Sequence, residues 1–97
     1  MANMPPRPAG ATDPAIKVYE HANLGGWQLA FIGEQVNNIG SDANDKISSV
    51  QVLSGKWELF ADAEFKGTKL TLGKGTVPDL APLGLNDKVS SLRPVAW

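Results

Sequence analysis

Six residues, Asn44-Asp45-Lys46-Ile47-Ser48-Ser49, return as Asn86-Asp87-Lys88-Val89-Ser90-Ser91, five of them identical, at an offset of 42 in a chain of 97. A repeat at this spacing constrains the fold strongly, because each copy must be one supersecondary unit of a tandem pair. One copy alone would read as an ordinary turn, since Asn and Asp bond readily to their own backbone. Two copies in register call for more than that. Each gathers carboxylate, amide and hydroxyl oxygens, with no Cys or His among them. Such hard donors suit Ca²⁺ better than zinc or copper.

The repeat extends beyond the hexapeptides. Tyr19 lies 25 residues before Asn44 and Phe60 lies 26 before Asn86, and each is followed seven residues on by a glycine, Gly26 or Gly67. The segments Tyr19-Glu20-His21-Ala22-Asn23-Leu24-Gly25-Gly26 and Phe60-Ala61-Asp62-Ala63-Glu64-Phe65-Lys66-Gly67 share one pattern: aromatic, four residues, large apolar, one residue, Gly. Val36-Asn37-Asn38-Ile39 is echoed by Val77-Pro78-Asp79-Leu80. The chain thus divides into units of about 16–53 and 57–95, inside a single domain over 15–97.

Each unit reads as β-structure. Period-two alternation predicts strands at Ile16–Tyr19 and Trp27–Phe31, joined through an Asn- and Gly-rich turn at 21–26. Gly33–Asp45 is polar and irregular, with Val36 and Ile39 as inward anchors, and Ile47–Leu53 is the next strand. After Ser54-Gly55 the second unit repeats this: Trp57–Phe60, a turn at 61–67, Thr68–Leu72, a loop carrying Pro78 and Pro82, and a closing strand at Lys88–Leu92. Pro94 confines that last strand to an edge or an end. No segment has the sustained 3.6-residue period of a substantial helix, although short turns fit near 37–40 and 79–83. Two units of four strands, each with one long return connection, predict two tandem Greek keys packed as an all-β sandwich of about eight strands. Trp27, Trp57 and Phe65 fit core or hairpin-corner packing better than a sugar-stacking face. Residues 1–14, with Pro5, Pro6, Pro8 and Pro14 around Gly10, read as a flexible or polyproline-like arm outside the core, and Trp97 as loosely held.

Composition bounds function mainly by exclusion. Nine basic and ten acidic residues give a net charge of −1, so nothing electrostatic points to nucleic acid or an anionic membrane. No run approaches the roughly 20 apolar residues of a membrane span, and residues 1–13 lack the apolar core of a signal peptide. With no cysteine there is neither a disulfide nor thiol chemistry. A monomer is expected.

Paired in tandem, the aromatic-x₄-apolar-x-Gly hairpin and the Asn-Asp-x-x-Ser-Ser loop resemble the βγ-crystallin domain. The second unit fits throughout, in Phe60, Phe65, Gly67 and Asn86 to Ser91. The first departs at Leu24, where the family usually has Tyr or Phe, which should alter packing and not topology. With both loops intact and no cysteine, the chain is more similar to microbial members than to lens proteins. The resemblance implies a double clamp in which the two loops hold two Ca²⁺ ions. Its implied ligands are the side chains of Asp45 and Asp87, the carbonyls of Lys46 and Lys88, the hydroxyls of Ser48 and Ser90, and the hairpin carbonyls of Glu20 and Ala61. Only about one carboxylate serves each ion, so affinity is expected between roughly 10⁻⁶ and 10⁻⁴ M.

Two other function classes fit the sequence less well. Catalysis finds little support: His21, the single histidine, sits in a hairpin turn beside Glu20, and no serine is marked out for it. Gly67–Lys74 lacks the spacing and the Ser/Thr of a phosphate loop. A crystallin-fold toxin or proteinase inhibitor acting through an exposed loop is the alternative, with calcium then incidental; such proteins usually carry the cysteines absent here.

Overall fold

The computed structural model describes residues 6–39, 46–85 and 88–97. Among these residues seven strands form two antiparallel sheets: β1 (Ala15–His21), β2 (Gly25–Ile32), β3 (Ser49–Ser54), β4 (Lys56–Asp62), β5 (Lys66–Leu72), β6 (Gly75–Val77) and β7 (Ser91–Ala96). One sheet has the order β2-β1-β3-β6 and the other β5-β4-β7. Short 3-10 turns occupy Ala22–Leu24 and Ala81–Leu83.

The expectation of two Greek keys with four strands each is met in part. β6 belongs to the second half by sequence yet pairs with β3 of the first, placing Val77 opposite Val50. The reciprocal element is a single bridge, in which Val36 of the first half lies opposite Leu92 of β7, with both backbone bonds formed at 2.8 and 3.0 Å. Each half therefore sends its third segment to the other half's sheet. This bridge stands where an eighth strand was expected. Two hydrogen bonds reinforce the exchange, Asn23 N–H to the Pro78 carbonyl at 2.7 Å and Glu64 N–H to the Asn37 carbonyl at 2.8 Å.

The core lies between the sheets. Ile16, Val18, Val50 and Val52 face Trp57, Leu59 and Leu92, and the loop residues Ile47, Leu80, Leu85 and Val89 close its end. Val36 and Ile39 pack against this cluster as expected. Trp57 is fully buried, and Trp27 packs partly buried against the core. β3 and β7 start later than the sequence pattern suggests, at Ser49 and Ser91. Ile47 and Val89 are buried in the approach to each strand, where the chain is not yet in the ladder.

The expectation that residues 1–14 stay outside the core is corrected at its end. Pro14 is fully buried, its carbonyl accepts from Gly33 N–H at 2.8 Å, and the Asp13 carbonyl accepts from the Ser54 hydroxyl. Arg7 pairs with Asp13 at 3.0 Å and places its guanidinium 5.5 Å from the ring centroid of Trp97, so that tryptophan is held against a partner. Pro5 lies outside the described residues. Pro94 is in β7, at the edge of its sheet.

Candidate metal centre

The two hairpins share one unusual backbone. Asn23 and Leu24 have φ of 57° and 60°, and Glu64 and Phe65 have 60° and 58°, all in the left-handed region. Side chains rarely occupy it, so something must hold each corner there. The second serine of each motif does so. The Ser49 hydroxyl donates to the His21 carbonyl at 2.6 Å and accepts from Leu24 N–H at 3.0 Å. The Ser91 hydroxyl donates to the Asp62 carbonyl at 2.6 Å and accepts from Phe65 N–H at 3.1 Å. Both serines are fully buried. Sequence reasoning gave these two residues no role, although their identity across the repeat was a signal that they had one.

Each turn then closes on a glycine with positive φ, 75° at Gly26 and 81° at Gly67. A Cβ there would lie 2.7 Å from Glu20 Oε1 and 2.8 Å from Glu20 Cβ, or 2.6 Å from Asp62 Oδ2, so the neighbouring side chain would have to shift. The substitution of Leu24 for an aromatic leaves this backbone unchanged. In the second hairpin Phe65 meets Phe60 edge-on at 5.7 Å, and the Arg93 guanidinium sits 5.2 and 5.0 Å from the two ring centroids. Arg93 also donates to Glu58 at 2.9 Å, and Lys69 lies 3.2 Å from the same carboxylate. Burial pushes the Glu58 carboxyl up, but the hydrogen bonds and charges of Arg93 and Lys69 outweigh it and hold the group below its ordinary value.

Six of the eight residues implied as ligands are described. Glu20 and Ala61 each lie opposite a β-bulge: the register passes from Tyr19↔Gln28 to His21↔Gly25 and from Phe60↔Lys69 to Asp62↔Lys66, so that Glu20 faces Gly26 and Trp27 together, and Ala61 faces Gly67 and Thr68. The ladder is locally disrupted at such a bulge, and neither Glu20 nor Ala61 has a partner in the register across it. Ser48 and Ser90 stand alongside, their N–H groups bonded to the carbonyls of Tyr19 and Phe60 at 2.9 Å. They are 9% and 6% exposed, respectively. Lys46 and Lys88 are exposed, as backbone-only ligands would be. Asp45 and Asp87 lie outside the described residues, as do Asn44 and Asn86.

The halves also cross at this end. Leu80 N–H bonds to the Ser48 carbonyl at 2.9 Å and Ile39 N–H to the Ser90 carbonyl at 3.0 Å. The chain running from Ile39 into the first motif thus departs from beside Ser90, and the chain running from Leu80 into the second departs from beside Ser48. The structure brings Glu20 together with Ser48 and Ala61 with Ser90, and joins each pair to the segment that leads into the opposite motif. All the donors concerned are oxygens, which fits a hard cation. Among the described residues no group of three or more His, Cys, Asp or Glu side chains could hold a metal. His21 is exposed, with its Nε2 3.4 Å from Glu20.

Comparison with known proteins places these features in context. The family model described as "Beta/Gamma crystallin" matches residues 15–95. The Epidermal differentiation-specific protein of Cynops pyrrhogaster is 36% identical over 78 residues, covering 80% of this chain and 22% of that protein. Beta-crystallin B1 of Rattus norvegicus is 33% identical and is covered over 39% of its length, so the chain spans well under half of the curated relatives it matches. Among solved structures, a beta gamma crystallin from Ciona intestinalis superposes with a TM-score of 0.77 at 30% identity, covering 82% of this chain and 98% of that one. A betagamma-crystallin from an archaeon gives 0.76 at 32% identity, covering 87% and 99%.

Proposed function

The chain belongs to the Beta/Gamma crystallin family, and from that premise we propose that it is a calcium-binding domain whose two Asn-Asp-Lys-x-Ser-Ser loops clamp two Ca²⁺ ions. The observation that carries this reading is the coincidence of a break in the ladder with a serine, Glu20 beside Ser48 and Ala61 beside Ser90, each opposite a bulge in the returning strand. Each ion would take a hairpin carbonyl from Glu20 or Ala61, a loop carbonyl from Lys46 or Lys88, a hydroxyl from Ser48 or Ser90, and the Asp45 or Asp87 side chain. Water would bring the number to the six to eight oxygens that Ca²⁺ takes. The crossing bonds at Ser48 and Ser90 support sharing of each ion between the halves. The intact loops, and the likeness to an archaeal domain, support the microbial calcium-binding kind.

The role we assign to the ions is structural. A ligand that binds only the folded state stabilises it by RT ln(1 + [L]/Kd), about 2.7 kcal/mol at a hundredfold excess over Kd. No catalytic step belongs to this reading. Calorimetric titration of chelator-stripped protein tests it, together with melting curves in calcium, magnesium and chelator. Two sites in the micromolar to sub-millimolar range, with a melting point raised by calcium and hardly by magnesium, are expected. Absence of heat with identical melting curves would overturn it and move the function to a binding surface on the same fold.

A further inference from the structure

The sheets end in four strands, and three of these are defended against pairing with another chain. β5 carries Lys66 and Lys69, β6 is three residues long and starts with a glycine, and β7 contains Pro94 and is bridged by Val36. Charge, shortness, proline and cover are the usual means of blunting a sheet edge. Among the described residues β2 has none of them. It runs eight residues, Gly-Gly-Trp-Gln-Leu-Ala-Phe-Ile, without a charge or a proline, at the end of its sheet. It also presents apolar surface: Ile32 is 64% exposed and Leu29 39%, and Trp27 and Phe31 are only partly buried.

We infer that β2 is a homotypic pairing edge, through which two copies of this chain join antiparallel into one continuous sheet. The expected monomer is then the dilute form. An uncharged strand suits itself as a partner, since a two-fold repeats every side chain across the junction and any charge near the axis would meet its own kind. The symmetry also limits the register. For two strands side by side the axis stands perpendicular to the sheet, so opposed residues share a face and their numbers sum to an even value. Centring on Leu29 opposes it to Leu29 of the second copy, and Trp27 to Phe31 on both sides. The half-buried row of β2 would then meet its own image as two aromatic pairs around a leucine pair, while Gln28 opposes Ala30 on the outer face. Alternate backbone groups of β2 that face away from β1 gain partners.

Sedimentation of the whole chain from micromolar to millimolar concentration tests this, with and without calcium. A monomer–dimer equilibrium is expected, together with slowed exchange of alternate β2 amides as the dimer forms. Leu29→Lys and, on the opposite face, Ala30→Lys should each weaken the dimer by more than about tenfold. Both positions are exposed, and an unchanged near-ultraviolet spectrum verifies the fold. Thr68→Lys, a lysine placed instead on the exposed surface of β5, should leave the equilibrium as it was. A monomer at every concentration would overturn the inference. So would a dimer indifferent to both β2 variants, or one weakened equally by Thr68→Lys.

Discussion

The Ser91 hydroxyl donates to the Asp62 carbonyl at 2.6 Å, and it also accepts from Phe65 N–H, so one buried side chain ties both limbs of the hairpin corner. Ser49 does the same with His21 and Leu24. Ser91→Ala leaves a carbonyl and an N–H without that partner, and such a loss costs about 1–3 kcal/mol. Urea unfolding should show each single alanine variant destabilised by this amount. Positions 49 and 91 should respond alike. A change under half a kcal/mol in both would mean that the corners hold without their serines.

Gly67 and Gly84 separate two costs usually confounded. Both have φ near 80°, but a Cβ at Gly67 meets Asp62 Oδ2 at 2.6 Å, whereas one at Gly84 meets nothing within 4 Å. Gly84→Ala should lose about 1 kcal/mol from backbone strain alone. Gly67→Ala adds the clash and should lose distinctly more. Equal losses in urea would indicate that the Asp62 side chain moves aside freely.

Glu58 makes stability depend on pH. Arg93 and Lys69 hold its folded-state value below the ordinary one despite the burial that opposes them. The folded protein therefore keeps the carboxylate ionised where the unfolded chain has begun to bind a proton. That contribution is complete above the unfolded value and is lost as pH falls through the folded one. Unfolding free energies across the acid range should fall less steeply in Glu58→Gln than in the natural protein. Parallel curves would remove Glu58 from the acid response.

On the proposed double clamp, calcium stabilisation should fail from either half. Asp45→Ala or Asp87→Ala removes a carboxylate, and Ser48→Arg or Ser90→Arg puts a cation where the proposed ion would bind. The calcium-induced rise in melting temperature should shrink in the aspartate variants and vanish in the arginine ones. Unchanged shifts in all four would refute this assignment of the ligands.

Much of this was legible in the chain, and the failures have a common cause. The repeat located both hairpins, their glycines Gly26 and Gly67, and the buried serines Ser48 and Ser90, because local backbone chemistry is written locally. The exchange of third segments was not legible. Val36 and Val77 advertise that they point inward, but in two like halves the same pattern serves either sheet, and only Leu92 and Val50 as actual neighbours decide it. Pro14 escaped for a related reason: one buried residue at a strand's approach produces no period.

The exchange has a consequence for the order in which the molecule can be made. A growing chain that has released only residues up to Ser54 owns β1, β2 and β3, but Val50 has no β6 to pair with and Val36 no Leu92. Its inner face waits for Trp57 and Leu59. Neither half can serve as a template for the other, and early synthesis leaves strands with open sides and a wet interior. Completion must come late and all at once, after β7 leaves the ribosome, so truncation anywhere before Leu92 should yield no smaller folded product, only an unfinished one.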